Sequence, residues 1–116
     1  MSEETKIENR QHLRINFENQ IIIYQITKSQ TGNIFVIDGT RIFGKSKDIS
    51  VGGMRMEVLS AVSLSKFSKL NFELEKNTPL EIYTERVWGN GDICGLRFIQ
   101  RDEYFTKQIS AYVGRP

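Results

Sequence analysis

The sequence predicts an all-β-dominated domain, a small barrel or closed sheet of antiparallel strands with one α-helix at its C-terminal end. Short segments alternate apolar and polar residues, turn residues separate them, and only the C-terminal end switches to helical spacing. Because no helical pattern lies between the strand candidates, a parallel α/β arrangement is disfavoured.

The strand candidates are recognised by the period of their side chains. Residues 54–58 and 70–74 alternate strictly, which places one set of side chains on a buried face. Further segments are rich in β-branched and aromatic residues: 20–27, 80–88 and 93–99. Turn signals separate the strands at residues 31–33, 38–39, 76–79 and 89–92. The last of these signals lies between two strong strand candidates and predicts a hairpin.

Two segments need separate treatment. Residues 28–41 are longer than a simple turn between the first two strands, and form either a hairpin extension or a mobile loop. At the C-terminal end, Asp102 is placed to cap a helix. An apolar stripe at helical spacing follows, and Gly114 and Pro116 end it. The stripe consists of Tyr104, Phe105, Ile109, Tyr112 and Val113.

The length of 116 residues fits one domain. We expect residues 1–9 to be a flexible polar lead-in and residues 10–116 to form the domain. No apolar run approaches the roughly 20 residues of a membrane span, so no membrane insertion is expected. The N-terminus lacks the pattern of a secretory signal, and there is one cysteine. Together these features predict a cytoplasmic protein.

The positive charge is concentrated in the first half of the chain. Residues 10–56 carry seven Lys and Arg against three Asp and Glu, a net charge of +4, whereas the remainder has a net charge of −2. This distribution favours an anionic partner, although an ordinary solvated basic surface would give the same pattern.

An enzymatic function is not expected. One histidine and one cysteine cannot build a zinc site of the usual four nitrogen and sulfur ligands, and no phosphate-binding or dinucleotide-binding glycine motif is present. Cys94 lies inside an apolar strand pattern, which indicates a buried structural thiol. The sequence therefore predicts no metal, no cofactor and no catalytic residue.

Two polar segments are candidates for ligand binding. Arg10 and Arg14 precede the first strand, and each guanidinium is a planar fork suited to phosphate or to the O6 and N7 edge of guanine. Asp48 can accept hydrogen bonds from the amino edge of guanine or hold an arginine, Ser50 is a small donor and acceptor, and Gly53 allows close approach to the main chain. Each segment alone is also consistent with a ragged terminus or an ordinary turn.

Taken in this order, the two segments resemble the PilZ domain family, whose signature is an Arg-x-x-x-Arg arm followed by (Asp/Asn)-x-Ser-x-x-Gly. Val87-Trp88, Gly95-Leu96-Arg97-Phe98 and residues 102–113 resemble the later strands and closing helix of that family. The resemblance implies a six-stranded antiparallel β-barrel with a C-terminal α-helix. It also implies a binding site for cyclic di-GMP where the arginine arm folds over the Asp-Ser-Gly strand.

The resemblance further implies a role for each residue. Arg10 and Arg14 would hold guanine edges and phosphates of cyclic di-GMP, Asp48 and Ser50 would bind the polar edge of the other guanine, and Gly53 would give close backbone approach. Ligand binding would order the arm, and a separate, unidentified downstream protein would read the change.

Two alternatives remain open. The chain could be a PilZ-fold adaptor that binds only protein, although the intact motifs argue against this. A barrel that binds single-stranded nucleic acid is disfavoured, because the aromatic residues of the basic half are not clustered with its arginines.

Overall fold

The computed structural model describes residues 14–28, 35–59 and 64–114. Four predicted features lie outside these ranges: the lead-in at residues 1–9, Arg10, the turn signal at 31–33, and Pro116. The elements are β1 (Ile15–Asn16), β2 (Gln20–Lys28), β3 (Phe35–Ile49), β4 (Gly53–Val58), β5 (Phe67–Glu75), β6 (Thr78–Asn90), β7 (Ile93–Ile99) and α1 (Glu103–Val113).

All strand pairings in the described part of the chain are antiparallel, and they close on themselves. The order β3-β2-β5-β6-β7-β4 returns to β3, because β3 also pairs with β4. The two residues of β1 add to β3 alongside this ring. Closure removes the exposed edges that an open sheet would present. The prediction of a six-stranded antiparallel barrel with a C-terminal helix is confirmed.

The long strand β3 corrects one sequence prediction. Asp38-Gly39 was expected to form a turn, but both residues lie within β3. The pairing changes register at this point, from Tyr24↔Arg41 to Ile26↔Ile37, so a bulge takes up the extra residues. Long-range pairing with β2 therefore overrides the local turn signal, and the described residues 35–41 form a hairpin extension.

The alternating segments bury the faces that their patterns predicted. Met54 and Met56 of β4 are fully buried, and Leu70, Phe72 and Leu74 of β5 also belong to the core. Cys94 is buried among them, and burial raises the pKa of its thiol, which keeps it in the inert protonated form.

Helix α1 closes the barrel with one apolar face. The Phe105 backbone N–H donates to Asp102 Oδ1 at 2.7 Å, which confirms the predicted cap. Phe105, Ile109 and Val113 are buried, and the Phe105 ring contacts Phe98 edge-on. Tyr104, by contrast, is 56% exposed, because it lies about 100° around the helix from Phe105. Tyr104 therefore lies outside the buried part of the predicted apolar stripe.

No helix among the described residues is long and apolar enough to cross a membrane.

Candidate functional site

The root of the arginine arm is fixed by strand pairing. β1 places Ile15 opposite Ile49 and Asn16 opposite Asp48, so Arg14 emerges beside the C-terminal end of β3. The Arg14 Nη1 donates to Asp48 Oδ1 at 2.9 Å. The Arg14 side chain remains 49% exposed, so its guanidinium is accessible from solvent. Two residues that the sequence predicted as a site, 34 positions apart, are thus in direct contact.

A second arginine, which sequence reasoning missed, holds the other oxygen of Asp48. Arg55 lies opposite Asp48 in the β3–β4 pairing, and its Nε is 3.0 Å from Asp48 Oδ2. In the sequence, Arg55 was only the polar position of an alternating strand. Its role depends on the register of β3 and β4, which no local pattern specifies. The Asp48 carboxylate therefore lies between two guanidinium groups.

Ser50 closes the tight connection between β3 and β4. The Ser50 backbone N–H donates to the Gly53 carbonyl at 2.8 Å, and the Gly53 N–H is 3.2 Å from Ser50 Oγ. The Phe98 N–H donates to the Gly52 carbonyl at 2.9 Å, which ties the turn to β7. Ser50 is buried, so its hydroxyl is engaged in shaping this turn.

Gly53 is required by the approach of β7. A Cβ at this position would lie 2.2 Å from the Leu96 carbonyl oxygen, whereas a Cβ at Gly52 would meet nothing within 4 Å. Packing within the barrel is therefore sufficient reason for a glycine at position 53. The contact with ligand that the resemblance implies for Gly53 remains a prediction.

An open cavity of about 550 Å³ lies against these residues. This volume falls within the range of small-molecule sites, roughly 300–1,000 Å³. Among the described residues, three arginines line it and no carboxylate does, so the cavity favours an anion. Its lining includes Arg14, Ser50, Gly53, Val87, Arg97 and Arg101.

Sequence reasoning did not assign Arg97 or Arg101 to a site, and each is positioned by a defined contact. Arg101 Nη1 donates to the Val51 carbonyl at 3.0 Å, which holds it beside the β3–β4 turn. Arg97 donates to the Glu85 carboxylate, and this hydrogen bond lowers the pKa of Glu85. Lys66 Nζ lies 3.6 Å from the same carboxylate, so Glu85 orients Arg97 but is shared between two cations.

Trp88 lies on the outside of the barrel and lines a second open cavity, which shares Val87 with the arginine-lined cavity. It pairs with Gly95 across β6 and β7. The Trp88 side chain is 46% exposed, yet a Cβ on Gly95 would lie 2.1 Å from the Trp88 Nε1. The indole therefore rests on the bare backbone of Gly95, and this contact fixes its orientation.

Replacing Gly95 with alanine should displace the Trp88 indole rather than unfold the barrel, because the obstructing atoms belong to a partly exposed side chain. Trp88 is the only tryptophan, so intrinsic fluorescence reports on it directly. We expect a shifted emission maximum. The free energy of unfolding should fall by about 1–3 kcal/mol. Gly91→Ala is the control for the emission maximum, because a Cβ at Gly91 meets nothing within 4 Å. It is not a control for stability, because the φ of +65° at Gly91 is strained for alanine. An unchanged spectrum in Gly95→Ala would contradict the stacked position.

Comparisons with known proteins agree with this architecture. The family model of the PilZ domain matches residues 8–115. Similar solved structures include the PilZ domain of CeSA from a cellulose synthesizing bacterium, with 13% identity and a TM-score of 0.55, covering 86% of this chain and 93% of that one. Another is the PilZ domain with c-di-GMP of YcgR from Escherichia coli, with 12% identity and a TM-score of 0.57, covering 88% of this chain and 86% of that one. At such identities the structural likeness concerns the fold. Among curated proteins, none gave a significant match.

Proposed function

Because the chain belongs to the PilZ domain family, we propose that it is a receptor for cyclic di-GMP, which it binds at the cavity beside Arg14, Asp48 and Ser50. The neighbour from Escherichia coli carries c-di-GMP in its structure, which supports this choice of ligand. The chain acts as a binding module and not as an enzyme.

The observation that carries this proposal is the convergence of Arg14 with the Asp48–Gly53 segment at an arginine-lined cavity. A cyclic dinucleotide presents two phosphate charges and the hydrogen-bonding edges of two guanines. Guanidinium groups match both features, because they fork onto phosphate and onto the O6 and N7 atoms of guanine. Arg97 and Arg101 add positive charge to the same cavity.

Ligand binding exchanges one arginine contact. Asp48 accepts from Arg14 and Arg55, so each of its two oxygens has an arginine partner. When cyclic di-GMP binds, Arg14 turns from Asp48 to the ligand together with Arg10. The carboxylate of Asp48, still held by Arg55, then accepts from the amino edge of a guanine, with Ser50 beside it. This exchange orders the arm and presents a new surface to a downstream partner.

Trp88 provides a stacking surface in a neighbouring cavity, which meets the arginine-lined cavity at Val87. Its indole is half exposed and is supported from below by Gly95. Base–aromatic stacking contributes about 1–3 kcal/mol per base. We propose that a purine that extends past Val87 stacks on this ring.

Isothermal titration of the purified chain with cyclic di-GMP, with GMP as the control, tests the proposal. We expect saturable binding of cyclic di-GMP alone and a change in Trp88 emission during the titration. The stoichiometry separates one bound molecule from an intercalated pair. A folded sample that gives neither heat nor a thermal shift would overturn the receptor function and favour a PilZ-fold adaptor that binds only protein.

A further inference from the structure

A row of side chains crosses the outer face of the barrel away from the candidate cavity. Phe43 of β3 lies opposite Ile22 of β2, which lies opposite Asn71 of β5, which lies opposite Glu81 of β6. Four neighbouring strands span about 14 Å at the usual strand spacing. Leu59 extends the row beyond Phe43, because its N–H donates to the Phe43 carbonyl at 2.9 Å. We call Leu59, Phe43, Ile22 and Asn71 the apolar strip.

The apolar strip exposes hydrophobic side chains that are not part of the barrel core. Phe43 is 49% exposed and Leu59 is 54% exposed, while Ile22 is partly buried between them and Asn71. The barrel core is filled from the other face of the same strands by Ile21, Ile23 and Ile42. Adjacent exposed apolar side chains, bordered by polar ones, are typical of an interaction site.

The strip continues into a concave groove. A cavity of about 610 Å³ is lined by Ile22, Asn71, Pro79 and Leu80, among others. The Asn71 Oδ1 is buried and has no hydrogen-bond partner among the described residues. An unsatisfied buried polar group is destabilising, so a hydrogen-bond donor that enters this groove would gain by pairing with Asn71 Oδ1.

The charges around the strip differ at its two ends. Arg41 and Lys45 flank Phe43 on β3, and the Arg41 guanidinium lies 5.8 Å from the centre of the Phe43 ring. Across the ranges that the structure describes, no carboxylate lies within ion-pair distance of Arg41 or Lys45, and the nearby Glu57 is held by Lys47 at 3.3 Å. At the other end, Glu73 lines the groove.

We propose that the apolar strip and its groove dock an apolar segment of a partner protein, with acidic residues of that segment lying over Arg41 and Lys45. A protein is favoured over a membrane because anionic lipid surfaces are usually bound by clusters of four to eight cations, whereas among the described residues two cations, Arg41 and Lys45, flank Phe43, and the groove lies at the other end of the strip. The interaction is independent of the nucleotide. Phe43 precedes Asp48 on β3 by about 16 Å, so the two surfaces are separate on the barrel.

The test uses a fluorescein-labelled synthetic peptide of twelve residues, with glutamates at its N-terminal end and leucines and one phenylalanine in the remainder. A matched peptide has lysines in place of the glutamates. Fluorescence anisotropy with the full chain should show saturable binding of the acidic peptide only. The double variant Phe43→Ser, Leu59→Ser should weaken this binding about tenfold or more. Lys45→Glu should weaken it as well, without removing any apolar surface.

The control is Tyr104→Ser, which removes an equally exposed aromatic side chain from α1 and should leave peptide binding unchanged. Amide NMR shifts caused by the peptide should map to β2, β3 and β5. The proposal is overturned by equal binding of the lysine peptide, by absence of saturable binding, or by an equal loss in Tyr104→Ser. It is also overturned if Phe43→Ser, Leu59→Ser instead abolishes self-association in sedimentation or binding to anionic vesicles.

Discussion

Arg14→Ala is expected to weaken the binding of cyclic di-GMP by about a hundredfold, which corresponds to about 2.7 kcal/mol. A fully engaged guanidinium makes charge-assisted, bidentate hydrogen bonds, and such arginines are the positions where truncation costs most binding energy. Arg14 already lies at the cavity and is half exposed, so we expect little rearrangement of its side chain when the ligand binds. Isothermal titration against the unmodified chain measures the change.

The same substitution should leave the fold nearly unaffected. The ion pair between Arg14 and Asp48 is close to the surface, where such pairs contribute about 0–1 kcal/mol to stability. Asp48 also keeps its contact with Arg55 at 3.0 Å, so the carboxylate is not left without a partner. Chemical denaturation should therefore give a free energy of unfolding within about 1 kcal/mol of the unmodified chain.

Arg41→Ala is the matched control for nucleotide binding. Arg41 is also an exposed arginine of the basic half, but it lies at Phe43 and does not line the cavity. Its loss should leave the affinity for cyclic di-GMP unchanged. If Arg14→Ala unfolds the chain, or if it binds as tightly as the unmodified chain, the role given to Arg14 is wrong.

The sequence was sufficient for those parts of the fold that depend on local chemistry. The alternation at residues 54–58 and 70–74 identified the buried faces, and Asp102 identified the start of the helix. The length of β3 was missed, because Asp38-Gly39 has the composition of a turn and only pairing with β2 makes it part of a strand. Non-local pairing of this kind has no local signal.

The candidate site divides in a similar way. The motif residues Arg14, Asp48 and Ser50 could be identified from their types and order, and the structure places all of them at or beside one cavity. Arg55 and Arg101 could not, because each reaches the site only through register or a loop contact. An arginine in a strand pattern predicts only an exposed position, because its neighbours across the sheet are not known from the sequence.

Gly53→Ala is expected to destabilise the fold by about 3 kcal/mol or more. The added methyl group would lie 2.2 Å from the Leu96 carbonyl oxygen and 3.3 Å from the Leu96 carbonyl carbon. These are backbone atoms of a central strand, so β4 and β7 would have to separate where Gly53 pairs with Arg97. Because domains of this size are stable by only about 5–15 kcal/mol, such a loss is measurable by urea denaturation and could abolish folding at 37 °C.

Gly52→Ala provides the control, because the neighbouring glycine has open space where the methyl group would lie. It should change the free energy of unfolding by less than about 1 kcal/mol. The comparison separates two reasons for a glycine in this motif. If Gly53→Ala unfolds the chain while Gly52→Ala does not, barrel packing is confirmed as a sufficient reason for Gly53. If Gly53→Ala folds with unchanged stability but no longer binds cyclic di-GMP, the clash with β7 is wrong and the glycine serves the approach of the ligand.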